Sequence, residues 1–172
     1  MGMARQVGDP GEARCLDLGI GGGLPGLVMA TCWPETRWVF VDRRARSEAL
    51  VSWGIGLLGI GARAAFRRGD AAELGRDPDL AGSFDLVVAR SFGPPALTAE
   101  CATGFLTLGG RLFVSEPEAG NSARWPAGAL AGLGLSVRST GAAPSYTELL
   151  KSAPHEPRFP RRTAAMQREP LY

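Results

Sequence analysis

The apolar positions of the chain fall into short, nearly continuous runs that alternate with stretches of helical spacing. Arg14-Cys15-Leu16-Asp17-Leu18 is one such run; it ends in a glycine cluster, and Leu24 to Thr31 follows with Pro25 near the first helical position. That sequence predicts strand, turn and helix. Arg37 to Val41 carries β-branched and aromatic residues and stops at Asp42, after which Ala45 to Leu58 has helical spacing. A weaker strand, Ala64 to Arg67, precedes Gly69-Asp70, and Phe84 to Ala89 predicts a buried fourth strand before a helix from Ala96 to Phe105. Leu108-Gly109-Gly110 then turns into a fifth strand, Arg111 to Ser115. Strands that are apolar almost throughout must be covered on both faces, and the intervening helices supply the cover. The expected fold is a doubly wound α/β domain with a mainly parallel sheet of Rossmann-like type.

Beyond Ser115 the pattern changes. Glu116 to Pro126 is polar and loop-like, Ala127 to Leu133 could form a short helix, and Leu135 to Ser139 could pair with Tyr146 to Lys151 through a turn at Gly141 to Pro144. This predicts an antiparallel C-terminal edge. Pro154 to Tyr172 holds four prolines and scattered charge and is expected to be a surface tail, so the chain divides into a body, residues 1–153, and a tail, residues 154–172.

Composition narrows the function classes. At 172 residues, 45% apolar and 21% charged, the chain has the make-up of one globular domain, which argues against disorder and coiled coil. Its most apolar stretch, Ala49 to Ile60, is broken by Ser52, Gly54, Gly56 and Gly59 and is far shorter than the ~20 residues of a bilayer crossing. No membrane partner is expected, and with no signal-peptide or myristoylation pattern the expected location is the cytoplasm. Cys15, Cys32 and Cys101 lack any C-x-x-C spacing and read as buried thiols, and the single histidine, His155, lies in the tail. No metal site and no imidazole chemistry are expected. The formal charge of +2 resides in the tail, where Arg158, Arg161, Arg162 and Arg168 outnumber Glu156 and Glu169.

The candidate chemistry begins at Asp17-Leu18-Gly19-Ile20-Gly21-Gly22-Gly23-Leu24-Pro25-Gly26, outside the carboxyl end of the first strand, where parallel sheets bind ligands. Counted from Gly21 the loop satisfies G-x-G-x-x-G and admits a dinucleotide. Counted from Asp17 through Gly19 and Gly21 to Gly23, it sets a carboxylate before the turn, which suits the cationic amine of S-adenosyl-L-methionine. Asp42 ends the second strand and could accept both ribose hydroxyls of either ligand. Asp70, with Ala71 and Ala72, could receive an adenine, or Asp70 could simply cap a helix. A dehydrogenase would also need a substrate domain and an acid–base group, for which this chain leaves little room.

Four segments together resemble the glucose-inhibited division protein B family, the 16S rRNA guanine-N7 methyltransferases of RsmG type. They are Asp17 to Leu27, Val41-Asp42 with the basic residues after it, Val88-Ala89-Arg90-Ser91-Phe92, and the tail Phe159-Pro160-Arg161-Arg162 with Glu169-Pro170-Leu171. The resemblance implies the class I S-adenosylmethionine-dependent methyltransferase fold, with cofactor contacts from Gly19, Leu24, Ala71, Ala72 and Arg90. It implies ribosomal RNA, or the small ribosomal subunit, as partner. Three departures stand out: 16 residues precede Asp17 where the family usually carries a further helical segment, Ser115-Glu116-Pro117 stands where Lys-Gly is frequent, and Ala72 replaces a common Glu.

Methyl transfer from a sulfonium is an in-line displacement that needs alignment above all. Guanine N7 attacks with an existing lone pair and releases no proton, so a site without histidine is adequate. Arg90 is the candidate catalytic residue, placed to meet a guanine edge, a phosphate or the cofactor carboxylate, with a salt bridge to Asp85 or Glu116 as its plain alternative. Ser91 beside it, and Arg161 and Arg162 next to the ring of Phe159, are candidate substrate contacts, with a solvated tail as the alternative for the arginines. A small-molecule methyltransferase of the same fold and a non-catalytic cofactor-binding homologue remain the competing functions.

Overall fold

The computed structural model describes residues 2–117 and 122–172, without the side chain of Ser122. A short helix, α1 (Gly2–Val7), leads into β1 (Arg14–Leu18), α2 (Gly26–Cys32), β2 (Arg37–Asp42), α3 (Ala45–Leu57) and β3 (Ala64–Arg68). The one-turn α4 (Ala71–Leu74), β4 (Phe84–Ala89), α5 (Pro95–Phe105) and β5 (Leu106–Ser115) complete the parallel part. After a 3-10 turn at Ser122–Arg124 come α6 (Ala127–Gly132), β6 (Leu135–Ala142), β7 (Ser145–Lys151) and α7 (Thr163–Arg168).

The seven strands lie in the order β3-β2-β1-β4-β5-β7-β6, with β7 antiparallel to both neighbours and the rest parallel. β1 is central, and the chain reverses direction across the sheet between it and β4. The period-2 alternation of β1 sends Leu16 and Leu18 to one face and Cys15 and Asp17 to the other. The first face packs against α4, α5, α6 and the tail around Phe84, Phe105 and Leu112. The second packs against α1, α2 and α3 around Trp38, Phe40 and Phe113. This is the doubly wound sheet with an antiparallel edge that the sequence pattern predicts.

Several local expectations change. The expected turn at Leu108-Gly109-Gly110 lies inside β5, where Gly109 takes a φ of +83° and the pairing with β4 shifts register. Only the two ends of the loop expected from Glu116 to Pro126 are seen, because residues 118–121 lie outside the described residues. Cys15 and Cys101 are buried as expected, but Cys32, in the last turn of α2, is exposed. Residues 154–172 were expected to run over the surface with little structure. Instead Phe159 and Met166 are buried in the larger core, and Met166 Sδ meets Cys101 Sγ of α5 at 3.9 Å. Burying two such side chains contributes about 1.5 to 3 kcal/mol each toward holding the segment down.

Candidate functional site

A cavity of about 290 Å³ opens at the carboxyl ends of β1 to β4. Its floor is Gly19, which follows β1; one side is Val41 and Asp42, which end β2, with Arg43 and Arg44 after them. Gly69, Asp70 and Ala71 form the wall beyond β3, Ser91 and Phe92 the rim beyond β4, and Leu97 and Cys101 of α5 an apolar back. Thr163 and Gln167 of α7 close it from above. The parallel strands explain the convergence, since each chain reversal occurs at the same edge of the sheet.

Gly19 is required here on two counts. Its φ of +75° belongs to the left-handed region, and a Cβ on it would stand 2.4 Å from Cδ2 of Phe92. Its N–H and that of Ile20 donate to the Val41 carbonyl, which ties the glycine loop to the end of β2. Gly21 has positive φ and donates its N–H to Asp42 Oδ2 at 3.0 Å, while Gly23 packs on Leu27. Gly21 and Gly23 therefore shape the loop without bordering the cavity.

Asp42 is buried at the cavity side. It accepts from Gly21, from the Arg44 backbone at 3.0 Å, and from Arg44 Nε and Nη2 at 3.0 and 2.9 Å. Burial by itself raises its carboxyl, but these hydrogen bonds outweigh burial and hold it down at about 2. The carboxylate is thus ionised at neutral pH and able to accept from two vicinal hydroxyls. The Arg44 side chain, largely exposed, is the partner that ligand hydroxyls would have to displace from Asp42.

Asp70 caps α4 through Ala72 N–H at 2.9 Å and also accepts from Thr163 Oγ1 at 2.8 Å. Ala71 borders the cavity, whereas Ala72 is fully buried behind it. Asp17 takes a structural position: buried beneath the loop, it accepts the Gly26 N–H at 2.7 Å where α2 begins. Burial pushes its carboxyl up to about 7, against the Gly26 hydrogen bond and the charge of Arg90. It borders none of the described cavities, because the loop glycines lie over it.

Arg90 and Leu24 border a second cavity, of about 280 Å³, with Pro25, Phe113 and Tyr146. Arg90 is exposed, and neither salt-bridge alternative forms: Asp85 accepts the Arg14 N–H, while Glu116 pairs with Arg124. Ser91, at a φ of +54°, carries the chain from this cavity to the first. Glu116, which stands where the family resemblance leads one to expect Lys-Gly, is turned inward with its side chain 5% exposed.

The tail residues have internal partners. Arg161 donates to Glu100 from its backbone N–H at 2.7 Å, from Nε at 2.8 Å and from Nη2 at 2.7 Å, and Glu100 is 1% exposed. Phe159 is buried, with the guanidinium groups of Arg158 and Arg161 4.7 and 5.9 Å from its ring centre. Arg162 is exposed at the start of α7. Sequence reasoning missed Arg44, Leu97, Thr163 and Gln167. The basic pair after Asp42 was a signal for the first; the last two were hidden by the prolines before them. Among the described residues no group of three His, Cys, Asp or Glu side chains is arranged for a metal ion, and no helix is long and apolar enough to cross a membrane.

The strand order, the glycine loop after β1 and the acid at the end of β2 define the class I methyltransferase fold. Solved structures agree: the antibiotic-resistance methyltransferase Kmr superposes with a TM-score of 0.64 at 18% identity, over 81% of this chain and 86% of its own. The [4+2]-cyclase SpnF superposes at 0.61 and 23%, over 78% of this chain and 54% of its own, so the architecture alone does not fix a reaction. Residues 4–118 match the family model GidB, rRNA small subunit methyltransferase G, and the chain belongs to that family. The ribosomal RNA small subunit methyltransferase G of Prochlorococcus marinus (strain MIT 9313) is 37% identical over 101 residues, 59% of this chain and 41% of the relative. That of Deinococcus radiodurans is 31% identical over 172 residues, 94% of this chain and 67% of the relative. The chain thus spans about two fifths of the length of the Prochlorococcus marinus relative.

Proposed function

We propose that this domain transfers a methyl group from S-adenosyl-L-methionine to N7 of a guanine in 16S ribosomal RNA, in the cytoplasm. The observation that carries the reading is the cavity itself: Asp42, Gly19 and the Gly69–Ala71 turn face one space, closed at the back by Leu97 and Cys101. In this assignment Asp42 would accept the ribose hydroxyls, and Ala71, Leu97 and Cys101 would line the adenine. Asp70, with one oxygen committed to Ala72 and Thr163, would have the other for the exocyclic amine. The methionine end would lie beside Gly19, and Arg90 with Leu24, in the adjoining cavity, would be the cation for its carboxylate.

The cofactor supplies an electrophilic methyl on sulfonium sulfur. The protein's part is alignment: Phe92 and Ser91, which border the cavity on its acceptor side, fix the direction of approach, and no general base is required because N7 loses no proton. Family membership favours an RNA acceptor. The test is incubation with methyl-labelled cofactor and either undermethylated small ribosomal subunits or a metabolite extract. Label on 7-methylguanine of 16S RNA is the expected result. Label only in the extract would favour a small-molecule acceptor, and cofactor binding with no transfer to either would favour a non-catalytic role.

A further inference from the structure

A third cavity, of about 300 Å³, lies between the start of α5 and the end of β5. Ser91 and Phe92 border both it and the cavity over Gly19, so these two residues are the partition between the spaces. The third cavity is also bordered by Arg124, at the end of the 3-10 turn, and by Trp125 next to it.

These wall residues are held by one carboxylate. Glu116 Oε1 accepts from Trp125 Nε1 at 2.5 Å and from Thr147 Oγ1 at 3.1 Å, while Oε2 pairs with Arg124 Nη1 at 3.2 Å. The carboxylate is almost completely covered, whereas the Arg124 side chain is 35% exposed. Among the described residues Glu116 is the ion-pair partner of Arg124, and a guanidinium carries five N–H donors. Arg124 itself borders the cavity, so the acid after the strand end fixes a cation there instead of presenting its own negative charge.

We propose that this third cavity is the subsite for the acceptor nucleotide, with the base against Phe92 and the phosphate on Arg124. An arginine fork meets phosphate oxygens through paired charge-assisted hydrogen bonds, and an aromatic ring offers a base its face. Glu116 is a positioning residue that acts through Arg124. The proposal rests on the reading of this domain as an RNA methyltransferase, and it shifts the phosphate contact away from Arg161, which is committed to Glu100.

The probes are guanosine monophosphate and guanosine, titrated into the full chain with S-adenosylhomocysteine present and followed by ligand-observed NMR. The wild-type chain is expected to prefer the monophosphate by roughly fivefold or more at low salt, as a charge-assisted phosphate contact requires. Arg124→Ala removes the preference and Arg124→Lys restores part of it. Glu116→Gln weakens the preference and, if it acts through Arg124, has no further effect in the Arg124→Ala background. Should Glu116→Gln fail to fold, Arg124→Ala at the surface still decides the matter. With undermethylated small subunits, Arg124→Ala should raise KM about tenfold and reduce kcat much less, because the contact is to a non-reacting group. No monophosphate preference in the wild-type chain, or one that survives Arg124→Ala, overturns the subsite. A preference that depends on Arg124, without transfer to ribosomal RNA, keeps the subsite and overturns the ribosomal reading instead.

Discussion

Arg161→Ala should destabilise the fold rather than merely weaken a substrate contact. The substitution removes the two side-chain hydrogen bonds to Glu100, from Nε at 2.8 Å and Nη2 at 2.7 Å, and leaves only the backbone one at 2.7 Å. It leaves a carboxylate that is 1% exposed with no cation beside it. Breaking a buried pair from one side costs about 3 to 5 kcal/mol, chiefly as the penalty of the stranded charge. Because the Arg161 side chain is 21% exposed and water reaches part of it, the lower end applies, about 3 kcal/mol. For a chain of this length that corresponds to a fall in Tm of roughly 6 to 12 °C. Urea and thermal unfolding followed by circular dichroism measure it directly. Adding Glu100→Gln should recover part of the loss, since the stranded charge is then gone. A loss under about 1 kcal/mol, or a double variant no better than the single one, would refute a buried-pair role for Arg161.

Asp42→Ala should weaken S-adenosylhomocysteine binding at least about tenfold, because each charge-assisted hydrogen bond lost costs about 1.5 to 3 kcal/mol. Arg44→Ala, which vacates the same carboxylate, should not weaken it, and calorimetric titration of both variants separates the two outcomes. Asp17→Asn tests the buried carboxyl: with its folded value raised from 3.8 to about 7, the native state holds a proton that the unfolded chain releases between those values. Wild-type stability should therefore fall as pH rises from about 4 to 7 relative to the Asn variant, by linkage. Parallel pH dependences in urea unfolding would show that Asp17 does not titrate in that window.

The sheet was legible because its parallel strands are apolar on both faces and its glycine loop follows the first of them. The cavity was half legible for the same reason. Gly19, Asp42, Asp70 and Ala71 sit at strand ends or within three residues of them, so finding the strand ends finds them. Asp17 misleads because a carboxylate before a glycine loop can face out to a ligand or back to a helix start, and only the path of the loop decides. Arg90 and Ser91 are adjacent in sequence yet border different cavities at β4's end, a separation set by the positive φ at Ser91. The tail was misread because prolines and arginines dominate its composition, whereas its docking depends on two apolar side chains, Phe159 and Met166, and one buried acid 61 residues away. No local pattern reports a partner at that distance.

The α7 wall makes the first cavity depend on a distant part of the chain. Gly19 and Thr163 border the same space but are separated by nearly the whole chain, so this wall rests on a long-range contact. A ligand that touches Thr163 or Gln167 holds the docked segment in place by the same free energy with which the docked segment holds the ligand. Occupancy of the cavity and protection of residues 154–172 from proteolysis are thus two readings of one equilibrium, and either can be used to measure the other.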